Sequence, residues 1–421
     1  MMRRSRVALP LLAVVLVAAM ATGRPLLFRL TYVLLAVIVL SFLWAWLNIL
    51  GVQLVRHTRS RRAHVGQVAE ERFSVRNTSF LPKLWLEVRD GSDLPGHRAS
   101  QVINSLSPRR QRSWSVRTLC RRRGRFILGP ITLASGDPMG LFRMERHLPD
   151  TSTMIVYPFL MDLPGFAPPV GQLTGGDAMR RRTHYITTNV SGVRDYAPGD
   201  SFNRIHWLST ARTGRLIVKE FELDPTADIW LVLDMEREVQ AGTEEDWEDM
   251  GPAMLWRPMR RIQVDPTTEE YGVAIAGSLA RHFLAQHRAV GLIAYGQTRE
   301  VLQSDRGDRQ LTKILETLAV IRAQGRVPLE QVITAEERRF GRNTTVIAIT
   351  PSTSVRWVSA LRELRRRGVG VVAVLLEAST FGEAPSALGA VSNLVASDIP
   401  TYLVKKGVPL DVALSQWTGR R

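Results

Sequence analysis

At 421 residues the chain is too long for one ordinary hydrophobic core, so two or three domains are expected. Its composition, 45% apolar and 23% charged, indicates a folded protein and argues against a largely disordered one. The formal charge of +17 indicates a polyanionic neighbour, which could be phospholipid, nucleic acid or an acidic protein. Because Cys120 is the single cysteine, an intramolecular disulfide is excluded, and we expect a packed, unreactive thiol.

Two apolar runs open the sequence. The first covers residues 7–22, after the basic sequence MMRRSR, and the second covers residues 26–55. About 20 apolar residues cross a bilayer as a helix, so the second run is predicted to span the membrane. The first is predicted to form a hairpin with it, with a cleaved signal peptide as the alternative.

Basic residues directly after the second run predict the orientation. Arg56, Arg59, Arg61 and Arg62 are expected to remain on the cytoplasmic side, against anionic lipid headgroups. The sequence therefore predicts a multi-pass cell-membrane protein. Its hairpin occupies residues 1–62, and its other domains lie in the cytoplasm.

Residues 63–160 contain short apolar or alternating segments separated by Gly, Pro, Asn and Asp, which is typical of a small β-sandwich-like domain. Eight arginines lie between Arg109 and Arg125, with Trp114 among them. No recognisable nucleic-acid motif accompanies them, so a solvated basic face is favoured and no specific nucleic acid is expected. Residues 161–183, rich in Pro and Gly, are predicted to be a linker.

Residues 184–421 form the last predicted domain. From residue 228 onward, apolar β-branched segments alternate with amphipathic helical ones. This pattern predicts a mainly parallel sheet covered on both faces, in a Rossmann-like open α/β domain. The predicted fold class is therefore α+β multidomain, with a transmembrane helical hairpin, a β-sandwich-like domain and the open α/β domain.

Between the β-rich and α/β segments lies RDYAPGDSFNRIHWLSTARTGRLIVKE, residues 194–220. Asp200 or Ser201 is expected to cap a helix that Gly214 ends, which would place His206 in the middle of that helix. A hydrolytic pair of His206 and Ser209 is disfavoured, because nucleophiles usually occupy strained, exposed turns.

A structural role explains the charges of this stretch better. Buried guanidinium–carboxylate pairs fix geometry, and losing one partner leaves a charge uncompensated. We expect Arg194, Arg204 and Arg212 to pair with acidic residues of the same stretch, namely Asp195, Asp200 and Glu220.

This stretch resembles the signature of the bacterial domain-of-unknown-function-58 family. The upstream sequences RRRGRFILGPITL and DPMGLF (137–142) match the pattern that commonly precedes that signature. The positions of the motif, with a structural or interaction role, are Arg194, Tyr196, Gly199, Asp200, Arg204, His206, Trp207, Arg212 and Lys219.

The resemblance implies a following domain similar to the von Willebrand factor type A fold. It also implies association with a MoxR-type AAA+ ATPase, and it implies no reaction. Type A domains often bind Mg²⁺ through Asp-x-Ser-x-Ser after the first strand, together with a later Thr and Asp. Here Asp234 matches, Glu236 and Glu238 replace the serines, and Thr350 is followed by Pro351. Asp234, Glu236 and Thr350 are thus a degenerate candidate site, and we expect no cofactor, with Mg²⁺ as the disfavoured alternative.

No complete catalytic constellation is present in the sequence. We therefore expect a non-enzymatic, membrane-tethered adaptor that works with an AAA+ ATPase in protein maturation or assembly. The alternatives are a membrane-bound metal-dependent enzyme or hydrolase, and a nucleic-acid-binding membrane protein. The acidic stretch MEREVQAGTEEDWEDM, residues 235–250, is either a solvated loop or a docking surface for a basic partner.

Overall fold

The computed structural model describes residues 5–166, 190–197, 205–221, 228–243, 264–341 and 343–418. The chain divides into two compact units. The first contains residues 1–159 with the short segments 244–265 and 318–320, and the second contains 160–243, 266–317 and 321–421.

Two helices precede the first strand, and the other helices lie from residue 207 onward. They are α1 (Ser5–Thr22), α2 (Pro25–Ile49), α3 (Trp207–Thr213), α4 (Thr268–Ala285), α5 (Asp308–Val320), α6 (Leu329–Glu336), α7 (Arg356–Arg366), α8 (Leu388–Ala396) and α9 (Leu410–Ala413).

The first ten strands belong to the first unit and the rest to the second. They are β1 (Val52–Thr58), β2 (Arg62–His64), β3 (Val68–Asn77), β4 (Lys83–Asp90), β5 (Gln101–Leu106), β6 (Gln111–Leu119), β7 (Gly124–Leu128), β8 (Ile131–Gly136), β9 (Arg143–Leu148), β10 (Ser152–Tyr157), β11 (Val190–Asp195), β12 (Ile217–Phe221), β13 (Asp228–Leu233), β14 (Val290–Tyr295), β15 (Arg299–Asp305), β16 (Thr344–Thr350), β17 (Gly370–Leu376) and β18 (Thr401–Val404).

Helix α2 is long and apolar enough to cross a membrane, with a mean hydropathy of 2.4. The apolar part of α1, Val7–Thr22, is shorter. The span predicted over residues 26–55 is too long at its C-terminal end, because the helix ends at Ile49 and β1 begins at Val52. Residues 52–58 alternate between inward and outward side chains, which is the period of a strand, and β1 pairs with β3.

The β-rich part of the first unit contains three sheets, and two of them share one core. The third, β2-β10-β7, contributes to a separate buried cluster. Sheet β1-β3-β6 and sheet β5-β4-β8-β9 are antiparallel. Phe73 and Val75 of the first sheet belong to the same buried cluster as Leu86, Ile103 and Leu133 of the second. The two sheets thus form a sandwich, and it begins at β1 rather than at the predicted residue 63.

The end of α2 is bonded to this sandwich. Asn48 donates to the carbonyl of Leu84 and to the hydroxyl of Ser135, and its side-chain oxygen accepts the Leu84 amide at 2.9 Å. Lys83 is 1% exposed and donates to the carbonyl of Leu47 in the last turn of α2. Carbonyls at a helix C-terminus lack partners within the helix, so Lys83 satisfies one of them and places positive charge at the negative end of the helix dipole.

The second unit is built on a six-stranded sheet in the order β15-β14-β13-β16-β17-β18. All of its pairings are parallel except that of the edge strand β15 with β14. Side chains on one face, including Trp230 and Val232, form a cluster with residues of α6, α7 and α8. On the other face, Gly272 of α4 lies against Leu233 and Ile349.

The strands and helices predicted from residue 228 onward are present, and α6, α8 and α9 are additional. The start of the linker predicted over 161–183 is packed into the second unit. The Phe166 ring contacts Phe283 and Tyr402, with ring centroids 5.9 and 4.9 Å away. Residues 167–183 of that linker lie outside the described residues.

We expect Trp357→Ala to lower the free energy of unfolding by about 3–5 kcal/mol, because it removes a fully buried indole from the core of the α/β unit. The indole Nε1 also donates to the carbonyl of Ser352 at 3.2 Å. Thermal unfolding of the detergent-solubilised chain, followed by circular dichroism, measures the change. Trp207→Ala is the matched control, because that indole is 66% exposed. Equal shifts for the two variants would contradict the packing of α7.

Candidate functional site

The family-like stretch folds as an antiparallel strand pair with a short helix between the strands. Strands β11 and β12 pair with Arg194 opposite Val218, and Ile205 bridges to Val218 just before α3. The expected motif residues Gly199, Asp200 and Arg204 lie outside the described residues.

His206 is the N-cap of α3 and not a mid-helix residue as predicted, because α3 begins only at Trp207. Its Nδ1 accepts the Ser209 amide at 3.3 Å and lies 2.7 Å from the Ser209 hydroxyl. The backbone amide of His206 donates to the carbonyl of Ile217 at 2.7 Å, which ties the start of α3 to β12. This imidazole nitrogen therefore caps the N-terminal end of α3, because it accepts an amide that has no partner within the helix. Gly214 closes the same helix in the left-handed conformation at φ +69°, as the sequence predicts.

The charged side chains of the motif are more exposed than predicted. Arg194 is half-buried and donates to the carbonyl of Asp195 at 3.0 Å. Arg212 is exposed, so the expected buried ion pair is wrong for this residue. Lys219 lies on β12 opposite Val193. Tyr196 donates its backbone amide to Leu216, which continues the pairing beyond β11.

Large apolar side chains of this stretch also face solvent. Trp207 is 66% exposed and Leu208 is 63% exposed, and no residue of α3 is buried. Val193 and Leu216 add exposed apolar surface on the strand side. We call these four residues the signature patch. Tryptophan is among the side chains that contribute most to protein–protein interfaces.

The degenerate metal-site residues meet at the carboxyl end of the parallel sheet. Asp234 follows β13 and Thr350 ends the neighbouring β16, and the Thr350 hydroxyl donates to Asp234 Oδ2 at 2.6 Å. The Glu236 amide donates to Asp234 Oδ1 at 3.1 Å, and Asp234 is 4% exposed. The structure thus brings Asp234 and Thr350 together as the sequence suggests, and both carboxylate oxygens of Asp234 have internal donors.

Burial raises the pKa of Asp234 to about 7, against the lowering effect of the Thr350 hydroxyl and the Glu236 amide. The carboxylates of Glu236 and Glu330 raise it further. Burial and the neighbouring Glu330 and Glu238 also raise the pKa of Glu236. A carboxyl that titrates near neutrality at this edge of a sheet is a site candidate on electrostatic grounds.

The residues present do not fit Mg²⁺ well. Mg²⁺ requires near-octahedral oxygen ligands, and the oxygens of Asp234 already accept two internal hydrogen bonds. In the part of the chain that the structure describes, no group of three or more His, Cys, Asp or Glu side chains is arranged to hold a metal ion.

The arginines after α2 do not act alike. Arg59, Arg61 and Arg62 are exposed, but Arg56 is not free to face lipid headgroups as predicted. Its guanidinium lies 2.6 Å from Glu71 and 3.2 Å from Asp90, and its side chain is 10% exposed. The reason is strand geometry, since Arg56 shares the inward side of β1 with Val52.

Sequence reasoning missed the rest of this cluster. His97 Nε2 lies 3.2 Å from both Glu71 and Asp90, with 1% of its side chain exposed. Burial lowers the pKa of His97, but the two carboxylates outweigh that effect and raise it overall. Conversely, His97 and Arg56 hold the pKa of Glu71 below its usual range despite burial. The sequence signal was the inward strand position of Arg56 and Glu71, and His97 lies in the loop between β4 and β5, where no such periodicity applies.

Two further expectations have structural outcomes. Cys120 is fully buried, and burial raises its pKa to about 11, which confirms the packed, unreactive thiol. Trp114, the aromatic of the arginine-rich segment, stacks on Phe73 of the core at 5.4 Å between ring centroids. Its ring is therefore packed inside the domain.

Comparison with known proteins identifies a family whose model matches part of the chain. Residues 192–250 match the family described as protein of unknown function DUF58. The "Uncharacterized protein YeaD" of Bacillus subtilis (strain 168) is 22% identical over 209 residues, which covers 50% of this chain and 46% of that protein. The chain thus spans less than half the length of this curated relative.

Three solved structures each match about a quarter of the chain. A CARDB domain of Pyrococcus furiosus matches with 13% identity and a TM-score of 0.20, over 25% of this chain and 91% of that one. The alkylpurine DNA glycosylase AlkC of Pseudomonas fluorescens matches with 15% identity and a TM-score of 0.18, over 25% and 30%. The β-glucosidase of Listeria innocua matches with 9% identity and a TM-score of 0.18, over 25% and 16%.

We expect Asp234→Asn to stabilise the protein at pH 8 and to do so less at pH 5. The folded-state pKa of about 7 exceeds the ordinary value of 3.8, so the wild-type stability is complete below about 3.8 and is lost as the pH rises through 7. Each unit of pKa difference corresponds to about 1.4 kcal/mol. Thermal unfolding at the two pH values measures the difference, with the exposed Glu238→Gln as control. Destabilisation of Asp234→Asn in the presence of added Mg²⁺, with none in EDTA, would instead indicate a cation site.

We expect Arg56→Met to destabilise the first unit by about 3–5 kcal/mol, because two buried carboxylates lose their guanidinium. Arg59→Met should cost less than about 1 kcal/mol, because its side chain is 80% exposed. Thermal unfolding at pH 7 compares the two variants. If both changed only the affinity for anionic vesicles and neither changed stability, the buried cluster would be contradicted.

Proposed function

The chain is a member of the DUF58 family of proteins of unknown function, and we propose that it is a membrane-tethered, non-enzymatic adaptor. The observation that carries this proposal is the signature patch, where the family region exposes Trp207 and Leu208 on a helix with no buried residue. Exposing these side chains is unfavourable in water, and a partner that covers them would recover the free energy.

The helix that presents the patch is held in place from both ends. His206 caps its start, and Gly214 ends it while donating to the Thr210 carbonyl. Side chains placed on a preformed element lose less conformational freedom on binding, which favours affinity. This supports an interaction role for the motif positions.

The strand order of the α/β unit supports a von Willebrand factor type A-like architecture. Numbered from β13, the sheet follows the order 3-2-1-4-5-6, and its third strand is the antiparallel edge strand β15. We propose that the acidic segment after Asp234 adds a second contact, since binding surfaces of open α/β sheets lie at the carboxyl ends of the strands. Residues 244–250 of that segment lie outside the described residues.

We further propose that α1 and α2 form a hairpin in the bacterial inner membrane and that both units face the cytoplasm. The two helices contact each other and are joined at Gly23 and Arg24. The exposed Arg59, Arg61 and Arg62 follow α2 closely, and basic residues next to a span stay on the cytoplasmic side. They would also attract anionic headgroups.

The partner we propose is a MoxR-type AAA+ ATPase, in the maturation or assembly of other proteins. This part rests on the family resemblance of the sequence. A metal-dependent enzyme or hydrolase is the second candidate, favoured by the raised pKa of Asp234. A function that is lost in Asp234→Ala or His206→Gln with the fold retained would support chemistry over scaffolding.

We expect Trp207→Ala to abolish capture of the ATPase from detergent-solubilised membranes, since truncating a central interface tryptophan commonly costs about 2 kcal/mol or more. The matched control is Leu388→Ala on α8, because Leu388 is exposed to the same 66%. The eluates of the wild type and of both variants are compared by mass spectrometry. An ATPase equally abundant in all three, or absent from all three, would contradict the proposal.

A further inference from the structure

A second set of exposed apolar side chains lies in the first unit, beside the C-terminal end of α2. Phe80 is 77% exposed, Leu81 50%, Trp85 48% and Met139 56%. We call these four residues the membrane-proximal patch. The adaptor function proposed above does not use them.

The turn that carries Phe80 and Leu81 is fixed to the end of α2. The Thr78 amide and hydroxyl both donate to the carbonyl of Gly51, two residues beyond the helix. The buried Asn77 donates to the Leu81 carbonyl at 2.8 Å and accepts the Ser79 amide at 3.0 Å. These bonds hold two large apolar side chains in water-facing positions, although a flexible turn could have folded them inward.

Trp85 and Met139 are fixed in the same region. Trp85 follows Leu84, whose backbone is bonded on both sides to Asn48 of α2. Met139 belongs to the DPMGLF loop, and the Asp137 carboxylate of that loop accepts the Met139 amide at 2.9 Å. At the end of the loop, Phe142 packs edge-on against Phe42 of α2, with ring centroids 5.6 Å apart.

The position of Phe42 sets the depth of these loops. Phe42 lies two turns before the end of α2, about 10 Å along the axis. A helix of 25 residues is about 37 Å long, and the hydrocarbon core of a bilayer is about 30 Å thick. With the N-terminal end of α2 at one boundary of the apolar core, the other boundary lies about 7 Å before the C-terminal end of the helix. Phe42 lies about 10 Å before that end, so the DPMGLF loop, which contacts Phe42 through Phe142, reaches this boundary.

Basic side chains lie beside Phe80 at one side of the patch. The guanidinium of Arg109 lies over the Phe80 ring, 4.4 Å from its centroid. Three further arginines are exposed nearby: Arg76 on β3, Arg110 just before β6 and Arg112 on β6. An apolar tip with a basic rim is complementary to a bilayer interface that contains anionic lipid.

From this arrangement we propose that the β-sandwich lies on the bilayer that α2 enters, with the membrane-proximal patch inserted among the headgroups and Arg109 beside the phosphates. The proposal rests on the membrane placement of α2 in the proposed function. It assigns a role to the DPMGLF loop, which seats the sandwich on the helix and presents Met139 to the lipid.

The test places nitroxide labels on the full chain, reconstituted into vesicles of phosphatidylethanolamine and phosphatidylglycerol. Phe80→Cys and Met139→Cys are labelled separately, and Ile127→Cys on β7 is the control, because Ile127 is 49% exposed. Ile127 belongs to sheet β2-β10-β7, whereas helix α2 contacts β4, β8 and β9 of sheet β5-β4-β8-β9. The wild-type chain controls for background labelling, since Cys120 is buried and its pKa is about 11.

We expect labels at positions 80 and 139 to be relaxed several-fold more by oxygen than by a water-soluble nickel chelate, and the label at 127 to show the reverse. Nickel-dominated relaxation at 80 and 139 would overturn the proposal. Carbonate extraction of the same vesicles separates the two levels of inference. A chain that resists extraction while positions 80 and 139 stay aqueous overturns this inference alone, and a chain that carbonate releases overturns the membrane placement as well.

Discussion

The bond between Lys83 and the last turn of α2 connects the two chemically opposite parts of the first unit. An apolar helix ends with carbonyls that lack partners within the helix, and a sandwich rich in arginine begins three residues later. Lys83 and Asn48 satisfy polar groups on both sides of this junction, and each is almost fully buried. The helix and the sandwich are therefore held in one geometry, and a tether that can rotate freely would not have this property.

The same junction explains why the charge pattern misled the prediction at one residue. The number of arginines after a membrane span predicts on which side of the membrane they remain. It does not predict the direction in which each side chain points. Whether an arginine faces lipid or protein depends on strand register, and Arg56 is inward while Arg59 is outward. The register of β1 follows from its pairing with β3, and the sequence of β1 alone does not show which strand it pairs with.

Much of the α/β unit could be predicted because its strands are continuous apolar runs. The segments that became β13, β16 and β17 are buried along nearly their whole length, so their pattern is unambiguous. Asp234 follows one such strand and Thr350 ends another, and the family resemblance had grouped these two residues as a degenerate candidate site. Their hydrogen bond, and the burial that raises the pKa of Asp234, depend on packing by elements distant in sequence, such as Glu330 at the start of α6.

The signature stretch shows the limit of arguing from charge density. Its arginines and acidic residues suggested a buried ionic scaffold, yet Arg212 is exposed and the most unusual surface there is apolar. Buried ion pairs do occur in this chain, around Arg56 and around Glu336, where they hold strands and helices together. Some charged residues thus serve the interior of the fold, and the exposed aromatic residues Trp207 and Phe80 belong to the two apolar surfaces proposed here as contact sites. The Asp234 carboxyl stands apart from both surfaces, because it is 4% exposed and each of its oxygens accepts an internal hydrogen bond, so access to it requires a rearrangement of the loop that follows β13.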